Sequence, residues 1–528
     1  MRKNSKFKNL AQASGALALA YSALVAPVVA QTVTGVMYAP LRSLDPIITT
    51  AYTVRNFGYM VYDTLLAVDA DGKIQPQMLE KWTTSDDGKT YTFELRDGLK
   101  WHDGKDVTSE DVIASIKRWS ALDKAGQIMN GLLDEMAVVN DKQFTMKFKE
   151  STDIALRAMA KPSAVPALMM PKRLAETPTS EQIREVVGSG PFKFAANQYR
   201  PGVQAVFEKN TDYIPRSEPA SGLAGGKVVN VDAVKWVSMP DSMTAINALL
   251  NGEIDFIEQT SHDMLSLLEN KEGIQLKVLP LQGAQTEMRF NFIHPPFDNK
   301  LLRQAAMLAV DQESVLQAQI GDPKYYQTCG AVFGCSSPYA SDSKADVVIN
   351  AQVDKAKALL KEANYDGTPV VILHPTDMQT VAPVLPVVAQ ALRNVGFKVD
   401  LQSMDWQTVI NRRASRDLPS KGGWNIFSTF TVMADIRDPL SFMGVAANGK
   451  DAWFGWPDIP AIEERRAKFA RTDNEAELKQ LAREIHDLVI DEGVIVPLGE
   501  FSVVAAMSSK LSGLVEAPVP VFWNLRKD

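Results

Sequence analysis

Two stretches of the chain repeat one order of hydrophobic elements. In each, a short apolar strand is followed by a helix that ends at a glycine and then by a second strand; the segments are 234–237, 243–250 and 254–257 in the first stretch, and 370–373, 384–395 and 398–401 in the second. This β-α-β order predicts two α/β lobes with parallel sheets. Ligands of such sheets bind beyond the carboxyl ends of the strands, so the pattern also predicts a cleft between the lobes.

A different pattern precedes the first of these stretches. Residues 90–95 and 144–148 alternate between apolar and polar positions, as antiparallel strands do. Between them, Thr108 and Asp111 have the spacing of a capping box at the start of a helix. A glycine- and proline-containing breaker at 188–191 ends the region, which is predicted to be an inserted α+β domain. Further strands are predicted at 34–38, 424–431, 494–498 and 501–506.

The first thirty residues have the three parts of a secretory signal peptide. Four basic residues precede an apolar run at 16–26, which is too short to span a bilayer, and Val28-Val29-Ala30 provides a cleavage site. The alternative is a buried amphipathic first helix. Removal of residues 1–30, with four basic and no acidic side chains, changes the net charge from −7 to −11. Because no cysteine lies at the cleavage point, the exported protein is predicted not to be lipid-anchored.

Composition narrows the class of protein. The chain has 528 residues, of which 45% are hydrophobic and 23% charged, as in folded globular proteins, and its length predicts two to four domains. A pI near 5.5 gives no basic surface for nucleic acid. The two cysteines, Cys329 and Cys335, are predicted to form a local disulfide in an oxidising compartment. A metal pair or a redox pair is the alternative, but the C-x-x-C spacing and a nearby histidine are lacking.

Motifs of enzymes are absent from the sequence. The five histidines are scattered without metal-binding spacing, and neither β-α-β unit carries the glycine fingerprint of a dinucleotide site. The run at 221–227 lacks the first glycine of a phosphate-binding loop, and Val228 stands where Ser or Thr would hold Mg²⁺. Gly188-Ser189-Gly190 lacks the spacing of a nucleophile elbow. We therefore predict no catalytic residue, no metal and no cofactor.

The segment 82–104, which runs from Trp82 to Gly104, resembles the signature of the family 5 extracellular solute-binding proteins, the dipeptide, oligopeptide and nickel receptors of ABC importers. Shorter matches at 44–46, 188–192, 249–255 and 290–305 extend the resemblance along the chain. It implies a periplasmic-binding-protein-like α/β fold of the three-domain type (type II, cluster C), in which two α/β lobes joined by a hinge are accompanied by an α+β domain. The implied division is lobe I at 31–74, 188–288 and 502–528, domain II at 75–187, and lobe III at 289–501.

The resemblance also implies a ligand site. Thr50-Ala51-Tyr52 is similar to the lobe I strand that hydrogen-bonds the main chain of a bound peptide. In lobe III, Asp435 matches the acidic residue that pairs with the amino terminus of a peptide. The remaining ligand-binding positions are Trp406, Arg413, which can meet a carboxylate, Thr431 and Met433.

Each of three charged or aromatic positions has a structural alternative. Trp406 is equally consistent with a core tryptophan, and Arg413, which follows Arg412, with a solvated helix face. Asp435 is also consistent with a turn aspartate that is held by Arg437 or caps a following helix.

The function implied is that of a periplasmic receptor that captures a peptide or another amino-bearing small solute and delivers it to the transmembrane subunits of an ABC permease. The lobes are expected to close on the ligand about the hinge, and the protein is expected to be a soluble monomer. A nickel, haem or metal-chelate receptor is the alternative within the family. A secreted hydrolase and a sensor or adhesin without transport are the alternatives from other classes.

Overall fold

The computed structural model describes residues 31–528. The predicted signal peptide, residues 1–30, lies outside the described residues. The strands β1 to β21 are, in order, Thr32–Val36, Asp63–Thr64, Leu66–Val68, Ile74–Pro76, Leu79–Thr84, Thr90–Leu95, Leu133–Asn140, Gln143–Phe148, Leu168–Met169, Phe192–Phe194, Gln204–Lys209, Ala233–Val237, Phe256–Ile257, Ile274–Phe290, Tyr326–Gln327, Val370–Pro375, Val399–Met404, Ile426–Val432, Val496–Ser508, Leu511–Ser512 and Arg526–Lys527.

The α-helices are distributed over the whole of the described chain. They are, from α1 to α15, Tyr52–Val61, Ser109–Leu122, Lys124–Leu132, Ile154–Met159, Lys172–Ala175, Ser242–Leu250, Lys300–Leu308, Gln312–Gln319, Ala345–Ile349, Val353–Glu362, Val384–Val395, Trp406–Arg413, Met433–Ile436, Pro460–Arg471 and Glu475–Glu492. Within residues 31–528, none of these helices is both long and apolar enough to cross a bilayer.

Both predicted β-α-β units are present. In the first, β12 and β13 flank β1, and both pair with it in parallel, with α6 as the connection. In the second, β16 pairs in parallel with β17 and β18, and α11 connects β16 to β17. The helix α11 ends at Gly396, whose φ of 114° is accessible to glycine and unfavourable for residues with a side chain.

Two long antiparallel strands join the parallel sets into one sheet. Strand β14 pairs with β18 on one side and with β19 on the other, and β19 pairs in turn with β13. The result is an eleven-stranded mixed sheet of order β10-β11-β12-β1-β13-β19-β14-β18-β16-β17, with β15 attached to β19. The β14–β19 register shifts between Leu279 and Ala284, and again between Gln285 and Glu287, as at β-bulges.

The prediction of two separate strands at 494–498 and 501–506 is wrong. One strand, β19, runs through both segments, because Gly499, with a φ of 102°, adjusts the backbone without ending the strand. Strand β14, which has seventeen residues, was not predicted.

The predicted insertion, which lies between β1 and β12 in the sequence, contains a four-stranded antiparallel sheet of order β5-β6-β8-β7. The predicted strand at 90–95 is β6, and Phe93 stacks on Phe144 of β8 with ring centroids 5.0 Å apart. The predicted capping box is present: the Thr108 side chain accepts from the Asp111 backbone N–H, and the Asp111 carboxylate accepts from the Thr108 N–H at 3.0 Å. This local hydrogen bonding fixes the start of α2.

Cys329 and Cys335 form a disulfide bond, with Cα atoms 6.0 Å apart. Buried side chains hold both ends of the loop, because the Cys329 backbone N–H donates to Gln312 at 2.9 Å and the Cys335 N–H donates to Glu500 at 2.7 Å. Within the described residues, the two sulfurs and Glu500 form a group of potential metal ligands. Sulfurs joined in a disulfide are not thiolates, so this group does not fit a metal ion.

Candidate functional site

A small cavity lies where three elements meet: the chain entering α1, the end of β18, and α12. Its volume is about 80 Å³. One water molecule needs roughly 10–15 Å³ of such volume, so the cavity has room for a few small groups. It is lined by Tyr38, Thr50, Ala51, Tyr52, Ala164, Met378, Trp406, Ile410, Arg413, Thr429, Phe430, Thr431, Asp435, Ser441, Phe442, Met443, Gly444 and Trp453.

The structure brings together seven of the eight ligand-binding positions expected from the sequence. They are Thr50, Ala51, Tyr52, Trp406, Arg413, Thr431 and Asp435. Met433 instead lines a neighbouring cavity of about 540 Å³ on the other side of α13. The reason is helical geometry: Met433 and Asp435 are two positions apart on one helical turn, so their side chains leave the helix in different directions.

Asp435 is a buried carboxylate with one unsatisfied oxygen. Its exposed fraction is 3%, and its Oδ2 accepts a hydrogen bond from the Tyr52 hydroxyl at 2.8 Å. Its Oδ1 is buried and has no hydrogen-bond partner among the described residues. Burial raises the pKa of Asp435, and the nearby cations of Arg55 and Lys161, together with the hydroxyls of Tyr52 and Ser163, oppose that rise. An unpaired buried oxygen is costly, and a donor entering the cavity would satisfy it.

The neighbours of Asp435 bear on the alternative of a turn aspartate. The acid that stabilises the following turn is Asp438, which accepts from the backbone N–H groups of Leu440 and Ser441, each at 2.8 Å. The hydrogen-bonded partner of Asp435 is Tyr52, which lies 383 positions away in the sequence, and not Arg437. The geometry therefore assigns the local turn role to Asp438.

Tyr52 connects the two walls of the cavity. It is the first residue of α1, and its hydroxyl donates to Asp435 and accepts from the Val432 backbone N–H at 3.0 Å. The Arg55 guanidinium lies 4.4 Å from the centroid of the Tyr52 ring. Burial raises the pKa of the Tyr52 hydroxyl well above its usual value, so this group stays protonated and remains a donor.

Thr50 and Ala51 do not form the strand that the resemblance suggests. They lie in a segment outside any strand, and Ala51, with φ −68° and ψ 120°, is the N-cap of α1. The Ala51 carbonyl accepts from the N–H groups of Val54 and Arg55, as the first carbonyl of a helix does. This segment forms part of the cavity wall.

Arg413 is a buried cation surrounded by aromatic rings. Its exposed fraction is 8%, so the alternative of a solvated helix face is wrong. Its Nε is buried without a hydrogen-bond partner, and no ion pair of Arg413 occurs within residues 31–528. Burial lowers its pKa to about 10, so the guanidinium remains charged at neutral pH. The rings of Trp406, Phe427, Trp453 and Phe454 lie 4.9 to 5.9 Å from its central carbon.

The adjacent Arg412 provides a useful comparison. Its guanidinium donates to the carbonyls of Gly422 and Gly423 and to the Gln402 side chain. The donors of Arg412 are thus engaged by the protein, whereas Arg413 faces the cavity without an anionic partner. Trp406, on the same helix, is partly exposed; it packs against the hydrophobic core and also lines the cavity.

Several residues of the wall were not expected from the sequence. Tyr38 and Phe430 pack against Tyr52, with ring centroids 6.5 Å and 5.9 Å from it, and Trp453 lies beside Arg413. Tyr38 lies just beyond β1, at the carboxyl end of a strand that the sequence predicts. This position could have marked it as a residue of the cavity wall. Trp453 lies in a loop, and no local pattern marks it.

A second carboxylate lies behind the wall. Glu287 of β14 accepts from the Thr431 hydroxyl at 3.0 Å, and its other oxygen is buried without a partner. Burial raises its pKa to about 8, although Thr431 and Arg289 lower it. Glu287 therefore carries a proton over much of the range below pH 8, and it is not part of the cavity lining.

Sequence similarity identifies the family to which the chain belongs. The chain belongs to the bacterial extracellular solute-binding proteins, family 5, whose middle region matches residues 73–452. A protein named "Probable peptide ABC transporter periplasmic-binding protein", from Sinorhizobium fredii, is 38% identical over 490 residues, which cover 92% of each chain. The prediction of the family is confirmed.

Two further relatives bear on the fold. The dipeptide-binding protein DppE of Bacillus subtilis is 25% identical over 87% of this chain and 84% of its own. The crystal structure of a dipeptide-binding protein from a Pseudoalteromonas species, in complex with Met-Leu, covers 94% of this chain and 100% of its own, with a TM-score of 0.79 and 20% identity. The predicted periplasmic-binding-protein-like fold class is confirmed.

Proposed function

We propose that this protein is the peptide-binding component of an ABC importer and that it holds a short peptide between Asp435 and Arg413. One observation carries the proposal. A buried carboxylate with an unsatisfied oxygen and a buried guanidinium without an anionic partner line the same cavity. A zwitterionic solute supplies both missing partners at once.

The amino end of the ligand is assigned to Asp435. A buried ammonium is tolerated only when it is paired and hydrogen-bonded, and Asp435 Oδ1 is a free acceptor for it. The Tyr52 hydroxyl occupies Oδ2 and thereby orients the carboxylate. A charge-assisted hydrogen bond to the free oxygen would also lower the raised pKa of Asp435.

The carboxyl end is assigned to Arg413. A guanidinium binds a carboxylate through two parallel N–H donors, a geometry that the single ammonium of lysine does not offer. The surrounding aromatic rings hold the charged side chain in the cavity and exclude water from it. The aromatic and threonine side chains of the wall are well suited to the uncharged middle of a peptide.

Binding requires the walls to separate, because a cavity of about 80 Å³ is too small for a dipeptide to enter from solution. We propose that the segments 31–74, 188–288 and 502–528 form lobe I, that 289–501 form lobe III, and that 75–187 form domain II. Strands β14 and β19 pass from one proposed lobe to the other and carry register shifts there. They are the elements that would bend as the lobes open and close.

The proposed setting follows from the family and from the first thirty residues. Residues 1–30 have the pattern of a signal peptide, and the relative from Sinorhizobium fredii is named as a periplasmic-binding protein. We therefore place the mature protein in the periplasm as a monomer that presents its ligand to the transmembrane subunits of a permease.

The alternative functions have less support. No histidine or cysteine lines the cavity, so a directly ligated metal ion lacks its usual ligands there. A hydrolase needs a nucleophile hydrogen-bonded to a base, and the cavity-lining Ser441 donates to Asp438, which stabilises a turn. A metal chelate with a free carboxylate is the alternative ligand that a binding test must distinguish from a peptide.

Isothermal calorimetry with matched ligands tests the proposal. Ala-Ala is compared with N-acetyl-Ala-Ala, which has no ammonium, and with the Ala-Ala amide, which has no carboxylate. We expect each modification to weaken binding at least about 100-fold, because each leaves one buried charge without its partner. The bis-histidine complex of Ni²⁺ is the competing ligand. Equal affinity for all three peptides, or binding of the nickel complex alone, would contradict the proposal.

A further inference from the structure

A second cavity of about 310 Å³ adjoins the first. The two share Tyr38, Met378 and Trp406 as wall residues, so these side chains are the partition between them. The second cavity also lies between the proposed lobes. The Ser242 hydroxyl, from lobe I, donates across its rim to the Gln379 side chain, from lobe III, at 2.7 Å.

The second cavity has an unsatisfied hydroxyl in its wall. Thr260 is 5% exposed, its backbone N–H donates to Val504, and its Oγ1 is buried without a hydrogen-bond partner. The half-exposed Ser238 also lines the wall, and within the described part of the chain its hydroxyl has no hydrogen-bond partner. The Gln259 amide oxygen receives only a long contact of 3.5 Å from Thr380. Hydroxyl and amide groups of the residues that form this wall thus have unused hydrogen-bonding capacity.

The inner lining of this cavity carries no formal charge. Its charged side chains, Arg42 and Asp377, are both exposed at the rim, and Asp377 accepts from the Trp406 backbone N–H at 2.6 Å. His262 hydrogen-bonds to the Ser502 carbonyl, and burial lowers its pKa. A charged group placed in the interior would lose its hydration without gaining a counter-ion there, whereas an uncharged polar group would find hydrogen-bonding partners.

We propose that this cavity is a side-chain subsite, and that it selects ligands bearing an uncharged amide or hydroxyl group. The inference rests on the proposed function, which fixes the two ends of the peptide at Asp435 and Arg413. The side chain of one residue then passes the partition formed by Tyr38, Met378 and Trp406. Thr260, Ser238 and Gln259 hydrogen-bond its polar end.

The test uses dipeptides that differ only in one side chain of constant length. Gln, Glu and Met are placed at the first position and, in a second series, at the second position, each with Ala as the other residue. At one position, we expect Gln to bind about tenfold more tightly than either Met or Glu, since one good hydrogen bond and one uncompensated desolvation are each worth about a decade in affinity.

Thr260→Val links the preference to the cavity. Valine has nearly the same shape and no hydroxyl, so the ratio of Gln to Met affinity should fall several-fold, and Ser238→Ala should lower it as well. Ser189→Ala is the matched control, because the Ser189 hydroxyl is buried and unpartnered but lies outside both cavities. The ratio of Gln to Met affinity in the Ser189→Ala variant should equal that of the unmodified protein. Urea unfolding of each variant establishes that it is folded.

Each outcome of this test is decisive. The absence of a Gln preference at both positions, or a Gln preference that Thr260→Val leaves unchanged, overturns the subsite while the proposed function stands, provided that Ala-Ala binds and its N-acetylated form does not. If no dipeptide of the series binds, the proposed function fails and the subsite fails with it.

Discussion

Replacing Asp435 by asparagine removes the charge that is proposed to hold the ligand's ammonium and keeps the shape of the side chain. The asparagine oxygen still accepts from the Tyr52 hydroxyl, which now donates to Oδ2 at 2.8 Å. The Tyr52 link between the two walls is therefore preserved. The substitution changes the group at the Oδ1 position, and this oxygen has no hydrogen-bond partner in the unmodified protein.

The expected magnitude follows from burial. Asp435 is 3% exposed, so an ammonium bound there has lost nearly all of its water. Removing one partner of a buried ion pair costs about 3–5 kcal/mol. At about 1.4 kcal/mol per decade, the affinity for Ala-Ala should fall at least about 100-fold and up to about 1000-fold or more.

Calorimetry on a double cycle measures the effect. The two proteins are the unmodified chain and Asp435→Asn, and the two ligands are Ala-Ala and its N-acetylated form. If the ammonium pairs with Asp435, acetylation weakens binding severely in the unmodified protein and little in the variant, because the same interaction is removed only once.

A neighbouring carboxylate provides the matched control. Asp438 stabilises the turn after α13 and does not line the cavity, so Asp438→Asn should lower stability slightly and leave the affinity for Ala-Ala within about twofold. Acetylation that costs both proteins equally, or an Asp435→Asn variant that binds normally, would refute the assignment of Asp435.

Three further predictions concern the rest of the molecule. Intact-mass measurement should give a chain that begins near Gln31 and takes up no alkylating reagent before reduction, and two freely alkylated thiols would contradict the disulfide. Reduction of the Cys329–Cys335 bond should lower the free energy of unfolding by about 2 kcal/mol. Small-angle scattering should show a smaller radius of gyration with saturating Ala-Ala than without it, whereas identical profiles would contradict the hinge. Glu287 should contribute stability that is lost as the pH rises from 5 to 8, because its pKa is raised to about 8 in the native protein, which then holds a proton that the unfolded chain has already released. Glu287→Gln should remove this contribution, which is at most about 1.4 kcal/mol per pH unit, and parallel profiles for the two proteins would contradict it.

Much of the local structure is predictable because short-range chemistry determines it. The Thr108–Asp111 capping box fixes the start of α2, and Gly396 ends α11 at the predicted position. Strand β14 was missed because its sequence, which includes Pro280 and Gly283, does not alternate regularly. Its extended conformation depends on pairing with β18 and β19, which only the tertiary structure provides.

The site shows the same division between local and distant information. Asp435 and Arg413 are predicted from short motifs, but the hydrogen bond from Tyr52 to Asp435 spans 383 positions and has no local signal. Motif transfer groups Met433 with Asp435, but the structure places the two residues, which are two positions apart on a helical turn, in different cavities. The aromatic surroundings of Arg413 come from a helix, a strand and a loop, so no single segment reveals them.

The most direct test of the central claim is a crystal structure of the protein with bound Ala-Ala. The account predicts that the peptide ammonium lies within hydrogen-bonding distance of Asp435 Oδ1 and that its carboxylate meets the Arg413 guanidinium, with Tyr52 still bonded to Asp435 Oδ2. A peptide bound in the reverse direction, or one that contacts neither Asp435 nor Arg413, would contradict it.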